Sequence, residues 1–190
     1  MNNANRLILV KHSHPEVVKD IPARDWDLSD VGRACTKRLA RKLTRYHPEI
    51  IVSSVEPKAL QTAEILGREL GMKFHTADGL HEHDRRQSPF YSREEFESLV
   101  QKFFQEPDEL IFGRETANQA LLRYNQAVDR GLDSNPDKTI LIVSHGTVIS
   151  LFVSQMTGIE AFQLWKELGL PSFIVLDLKT KTNLEIGNLS

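Results

Sequence analysis

Apolar residues along this chain come in two alternating rhythms: unbroken runs of about four, and stripes spaced three or four residues apart. Leu7-Ile8-Leu9-Val10 and Ile140-Leu141-Ile142-Val143 are continuous runs, the pattern of strands buried on both faces of a sheet. Ile50-Ile51-Val52 reads as another strand, Lys73-Phe74-His75 as a short one, and Phe173-Ile174-Val175-Leu176 as a late one. Helical stripes lie between them. Ser29 is placed to cap a helix that has Asp30 at its positive end and Val31, Cys35, Leu39 and Leu43 along its apolar face. Pro57 suits the first turn of a second helix carrying Leu60, Ala63, Leu66 and Leu70, with Gly71 at its end. Ser92-Arg93-Glu94-Glu95 is a capping box ahead of Phe96, Leu99, Val100 and Phe103. A further helix runs from Ala117 through Leu121, Tyr124 and Val128, and another covers residues 160–168. Asn135-Pro136-Asp137 is a turn, and residues 183–186, after the polar 179–182, close an antiparallel edge hairpin.

Strands that alternate with helices predict an α/β fold, here a three-layer α/β/α sandwich with a mostly parallel central sheet. Residues 78–116, with their charges, Pro89 and Pro107, break the rhythm. They read as a small cap insertion over the sheet's edge, so that residues 1–190 form a single domain.

The first and fourth strands end alike, in Lys11-His12-Ser13 and in Ser144-His145-Gly146. Ligands of open α/β sheets bind beyond the carboxyl ends of parallel strands, so two such strands can aim two imidazoles into one pocket. The plainer reading is that each histidine is the polar residue at which an apolar run stops. Two matching strands favour the pocket.

Composition narrows the classes. A chain of 190 residues with 40% hydrophobic content buries one proper core. A net charge of -2 gives no electrostatic case for nucleic acid or an anionic membrane. Cys35 is the only cysteine, which excludes an internal disulfide framework and fits a reducing, cytoplasmic compartment. The polar Met1-Asn2-Asn3-Ala4-Asn5 lacks the apolar segment of a signal peptide, and no apolar run is long enough to span a bilayer.

A neutral imidazole attacks phosphorus competently when cations neutralise the transferring group and an acid protonates the leaving oxygen. Lys11 sits beside His12, Lys58 opens the helix after the second strand, and Glu82 lies in the irregular segment. These residues carry a resemblance. Residues 7–13 resemble the strand and R-H-G motif of the histidine phosphatase superfamily, which includes the phosphoglycerate mutases. Leu28-Ser29-Asp30-Val31-Gly32-Arg33 resembles its L-S-x-x-G-R helix start, and residues 53–64 its S-S-x-x-x-R-A-x-Q-T-A-E block. Leu80-His81-Glu82 is similar to its L-x-E, and Ser144-His145-Gly146 to its S-H-G. Five blocks in the family's order cover nearly the whole chain.

The resemblance implies a metal-independent phosphatase that needs no cofactor and takes a small phosphorylated molecule. His12 would become phosphohistidine, with its other ring nitrogen held by a backbone carbonyl. Lys11, Lys58 and His145 would hold the phosphoryl oxygens, and Glu82 would protonate the leaving alkoxide and then activate water. Ser13, Ser54 and Gly146 are implied as phosphate or substrate contacts. The sequence departs from the family at three points: Lys11 and Lys58 stand where the family has arginine, and Ser13 where it has glycine. Lysine keeps the charge and loses the rigid fork, a loss on the order of 1.5 to 3 kcal/mol for each charge-assisted bond. Weak or absent catalysis with retained phosphate-ligand binding is therefore the alternative, and mutase-type phosphotransfer a further one. The compact cap favours hydrolysis.

Several residues carry competing readings. His81, His83 and Asp84 are rivals to Glu82, and His12-Ser13-His14 with His81-Glu82-His83-Asp84 also reads as a set of metal ligands. Length argues against the eight-stranded metal-dependent barrel, and Arg85-Arg86 stand where a binuclear signature needs its last histidine. Gly113-Arg114-Glu115-Thr116 reads as a helix start, and Arg123 as a partner in ion pairs. Phe90, Tyr91, Phe103, Phe104 and Phe112 read either as an apolar wall for an organic phosphate or as packing of the cap.

Overall fold

A computed structural model of the protein describes residues 6–86 and 88–189. The polar segment 1–5 lies outside the described residues. The elements run β1 (Arg6–Lys11), α1 (Asp30–Leu43), β2 (Ile50–Ser53), α2 (Pro57–Leu70), β3 (Phe74–Thr76), α3 (Arg93–Gln105), α4 (Ala117–Asp133), β4 (Ile140–Ser144), α5 (Gly146–Thr157), α6 (Ala161–Glu167), β5 (Ser172–Asp177) and β6 (Thr182–Asn188).

One six-stranded sheet has the order β3-β2-β4-β1-β5-β6. Its first four strands pair in parallel, and β5 and β6 are added antiparallel, so the sheet is mostly parallel. Alternation along the strands feeds two cores. Leu7, Leu9, Ile140, Ile142, Ile174 and Leu176 pack against α4 and α5 and residues of α3 and α6. Ile8, Val10, Leu141, Val143, Phe173 and Val175 face the other way, onto α1 and α2. These are the three expected layers.

Two expectations change. Val31 was expected on the apolar face of α1 and is 62% exposed. Cys35, Leu39 and Leu43 are buried as expected, and Gly32, Thr36 and Ala40 join them, so that Gly32 rather than Val31 is the residue the first turn buries, against the loop after β1. Helix α5 has no counterpart among the expected elements. It is buried all round from Gly146 to Val153, so it lacks the one-sided stripe that marks a surface helix.

Helices α1 and α2 shape the loop that follows β1. The Ser29 hydroxyl accepts from the Gly32 amide, as a cap should, and donates to the His14 carbonyl. Thr62 accepts the Ser13 amide, while Gln61 accepts the Leu28 amide and donates to Asp27. The Gln-Thr pair of the expected block therefore ties the loop at both ends, between fully buried Ala59 and Ala63.

At Gly32 a Cβ would stand 2.2 Å from the His14 carbonyl oxygen. Alanine gains about 1 kcal/mol over glycine as a helix former, but overpacking against a fixed backbone costs about 1 to 3 kcal/mol. Gly32→Ala is therefore expected to lower the urea midpoint; a raised midpoint would show that α1 does not pack this closely.

Candidate active site

Parity along β1 and β4 decides what meets at their ends. His12 follows Ile8 and Val10 on the face of α1 and α2, and His145 follows Leu141 and Val143 on that same face. Lys11 and Ser144, which are register partners, turn to the opposite face. The ladder continues one step past the strands, with the His12 amide donating to the Ser144 carbonyl at 2.9 Å. As a result the two imidazoles stand edge to face, with ring centroids 5.1 Å apart.

His12 Nδ1 lies 2.7 Å from the Ser13 carbonyl oxygen, an acceptor, so this nitrogen carries the proton and Nε2 keeps its lone pair. Burial, then His145 and Lys58, hold the His12 imidazole well below its ordinary pKa, so the ring is neutral. The His145 pKa is also well below its ordinary value, through burial and then Lys58. Its Nε2 is 2.8 Å from the Ser54 hydroxyl. Its Nδ1 is buried without a hydrogen-bond partner among the described residues, 3.7 Å from the Glu56 carboxylate.

Each expected cation is engaged by the protein. Lys11 Nζ donates to the Leu168 carbonyl at 2.7 Å, and its stem lies against Gly146, where a Cβ would stand 3.1 Å from Lys11 Cε. Gly146 thus makes room for Lys11 at the start of α5. Burial pushes the Lys11 ammonium down to about 8, against the pull of Glu82. Lys58 is buried with Glu56, 2.5 Å from its carboxylate, and also donates to the Ala23 carbonyl at 2.7 Å. Burial lowers its pKa, and the Glu56 charge opposes the shift.

Glu82 reaches the same site from the other side. One of its carboxylate oxygens accepts the His83 amide at 2.9 Å, and the other accepts the Thr147 amide at 3.2 Å, in the first turn of α5. Burial opposes ionisation of Glu82, but His145, Arg85 and the His83 amide outweigh it and hold the carboxyl below the usual range. Two of the three rivals are engaged elsewhere. His83 packs against Phe103 and Phe112, and Asp84 pairs with Arg86. Arg123, expected in ion pairs, pairs with Glu115 and also donates to the carbonyls of Gly79, His81 and Glu82, so it clamps the loop that presents Glu82. Thr116 caps α4 as expected of a helix start.

Ser13 contributes its backbone: its hydroxyl is buried without a partner among the described residues. Ser54 contributes its hydroxyl, to His145. Phe103 and Phe112 are buried in the core, whereas Phe90 is exposed. A cleft of about 240 Å³ opens where Lys11 meets Phe96, Trp165 and Leu168. Among the described residues no three His, Cys, Asp or Glu side chains converge as metal ligands would, and His14 contributes its carbonyl to Ser29. Sequence reasoning missed Glu56 and Arg85. Both are charged residues close in sequence to expected ones, and nothing in their spacing marks Glu56 as buried or Arg85 as a neighbour of the site's charges.

Residues 7–184 match the family model of the histidine phosphatase superfamily, branch 1. The chain belongs to that superfamily. Solved structures repeat the fold. Glucosyl-3-phosphoglycerate phosphatase from a mycobacterium superposes with a TM-score of 0.73 at 20% identity, over 90% of this chain and 89% of its own. A phosphoserine phosphatase variant from Entamoeba histolytica, in complex with phosphoserine, gives 0.77 at 20% identity, over 97% and 98%. YhfR of Bacillus stearothermophilus gives 0.69 at 21% identity, over 94% and 93%. No curated protein sequence matches the chain. Among the described residues no helix of this superfamily member is long and apolar enough to cross a membrane.

A lysine depressed to about 8 loses its charge as the pH rises through that value. Binding of inorganic phosphate is therefore expected to weaken over that interval in the wild type, and to lose this step in Lys11→Arg, whose guanidinium stays charged. Identical pH profiles from isothermal titration would show that Lys11 does not face the anion.

Proposed function

We propose that this protein is a metal-independent phosphatase that hydrolyses a small phosphomonoester through a phosphohistidine on His12. The observation that carries the reading is the fixed proton on His12 Nδ1, which leaves Nε2 as a buried, neutral nucleophile beside a second histidine. Residues 1–190 act as one domain, with 78–116 as the cap.

Attack by Nε2 on phosphorus breaks the ester bond to the leaving oxygen, and the imidazole proton stays on Nδ1, stabilised by the Ser13 carbonyl. The two amides on Glu82 hold its carboxyl where the leaving oxygen departs. Glu82 is ionised in the free protein, and the negative charge of an arriving phosphoryl group raises its pKa, so the proton of a substrate monoanion passes to it. Glu82 then protonates the leaving alkoxide and afterwards takes a proton from the water that attacks phosphorus. Lys11 and His145 face the phosphoryl oxygens, Ser54 orients His145, and Lys58 adds charge from within its pair. No step calls on a metal or a cofactor.

Phosphoserine phosphatase and glucosyl-3-phosphoglycerate phosphatase share this fold, which supports a small phosphorylated metabolite as substrate. The single buried Cys35 suits work in the cytoplasm. A second reading, a phosphate-ligand-binding protein with weak catalysis, draws support from one observation: Lys58 is already paired with Glu56.

Turnover of a generic aryl phosphate in excess chelator separates these readings. The wild type is expected to release product, with His12→Ala reduced by roughly a thousandfold or more and Glu82→Gln by about a hundredfold or more. Phosphate-dependent stabilisation without turnover would favour the binding reading, and loss of activity on chelation would refute metal independence.

A further inference from the structure

One cation at this site corresponds to none of the five resembling blocks. Arg85 follows Glu82 by three residues, in the loop that Arg123 clamps. Its guanidinium carbon lies 4.4 Å from the centre of the Phe96 ring, and among the described residues its side chain makes no hydrogen bond. Phe96 lines the cleft that Lys11 enters, so the guanidinium stands beside that cleft, and its charge bears on Glu82, Glu56, Lys58 and His145. Phe96 is itself fixed by edge contacts with Phe112 and Trp165. A planar cation resting on an aromatic face is preorganised, with all five of its N–H donors unspent.

Lys58 is in the opposite condition. Two of its three donors are taken, by Glu56 and by the Ala23 carbonyl, and the pair is buried, with 6% and 4% of the side chains exposed. Glu56 also accepts the Glu82 amide at 3.0 Å, so the pair ties α2, the loop around Ala23 and the Glu82 loop together. Pulling Lys58 out to an anion would leave a buried carboxylate without its partner.

We propose that Arg85, on the cap side of the site, is the residue that grips the phosphoryl dianion with a guanidinium fork, and that Glu56 retains Lys58 as a structural cation. The fork that the resemblance places at the start of α2 is thus supplied across the site, from a different loop. This assignment rests on the phosphatase reading for its catalytic meaning, but the anion grip is testable without turnover.

Calorimetric titration of inorganic phosphate, run beside aryl phosphate turnover, tests it with Arg85→Ala, Arg85→Lys and the double variant Glu56→Leu/Lys58→Met. The double variant removes both buried charges together and so leaves neither unpaired. Arg85→Ala is expected to weaken phosphate binding roughly ten- to a hundredfold. Arg85→Lys should fall between it and the wild type, and the double variant should lose several-fold less than Arg85→Ala. Binding by Arg85→Ala equal to the wild type, or a larger loss in the double variant, overturns the assignment. Wild type that grips phosphate through Arg85 yet releases no product upholds the grip and refutes the phosphatase reading. Normal turnover and binding in Arg85→Ala does the reverse, and a wild type that binds no phosphate refutes both.

Discussion

Parallel pairing of β1 with β4 sets the distance between the two histidines, and the rest of the site is arranged around that pair. Because the register matches Lys11 to Ser144, the next residue on each strand falls on one face of the sheet at the same height. Both strands are completely buried from Leu7 to Val10 and from Ile140 to Val143, so a slip of one residue would drive apolar side chains into the pocket and imidazoles into the core. The hydrophobic effect, acting on eight side chains, thereby holds two polar ones in place. Helix α5 extends this control, since it begins directly after His145 and offers its first-turn Thr147 amide to Glu82.

The site concentrates charge where water is scarce, and burial decides which groups carry it. Both histidines are kept neutral, which for His12 leaves a lone pair available to attack phosphorus. The cations differ in how they are held. Lys11 rests on a single carbonyl, Lys58 is bound to a carboxylate, and Arg85 lies on an aromatic ring. Removing one member of the buried Glu56–Lys58 pair costs about 3 to 5 kcal/mol. Exposed pairs such as Arg68–Glu64 contribute about 0 to 1 kcal/mol. The difference is burial, and it explains why Glu56 governs the local architecture while most ion pairs of the chain do not.

The strands were legible in the sequence because burial on both faces demands unbroken apolar runs, and the histidines because they end two such runs. Helices with one wet face were legible too, through their caps: Ser29, Ser92 and Thr116 all do what their spacing predicts. Helix α5 was not, since a helix buried on every side carries no periodic signal. Val31 misled because the first turn of α1 buries its neighbour Gly32 against the His14 carbonyl and leaves Val31 facing water, while Cys35, Leu39 and Leu43 lie on the expected face. Glu82 could be singled out from its neighbours only through the family blocks, and the structure separates it by sending His83 into the core. Glu56 and Arg85 were hidden for a different reason. A charged residue in a loop ordinarily faces water, and only three-dimensional proximity reveals that these two sit among other charges.

The central claim is that His12 is a neutral imidazole with its proton fixed on Nδ1 by the Ser13 carbonyl. Nitrogen-15 NMR of the histidine rings at neutral pH, assigned by comparison with His12→Ala, reads that state directly. The account predicts a protonated Nδ1 and a bare Nε2 for His12. A doubly protonated ring, or a proton on Nε2, would contradict it, because the nitrogen facing phosphorus would then have no lone pair to give.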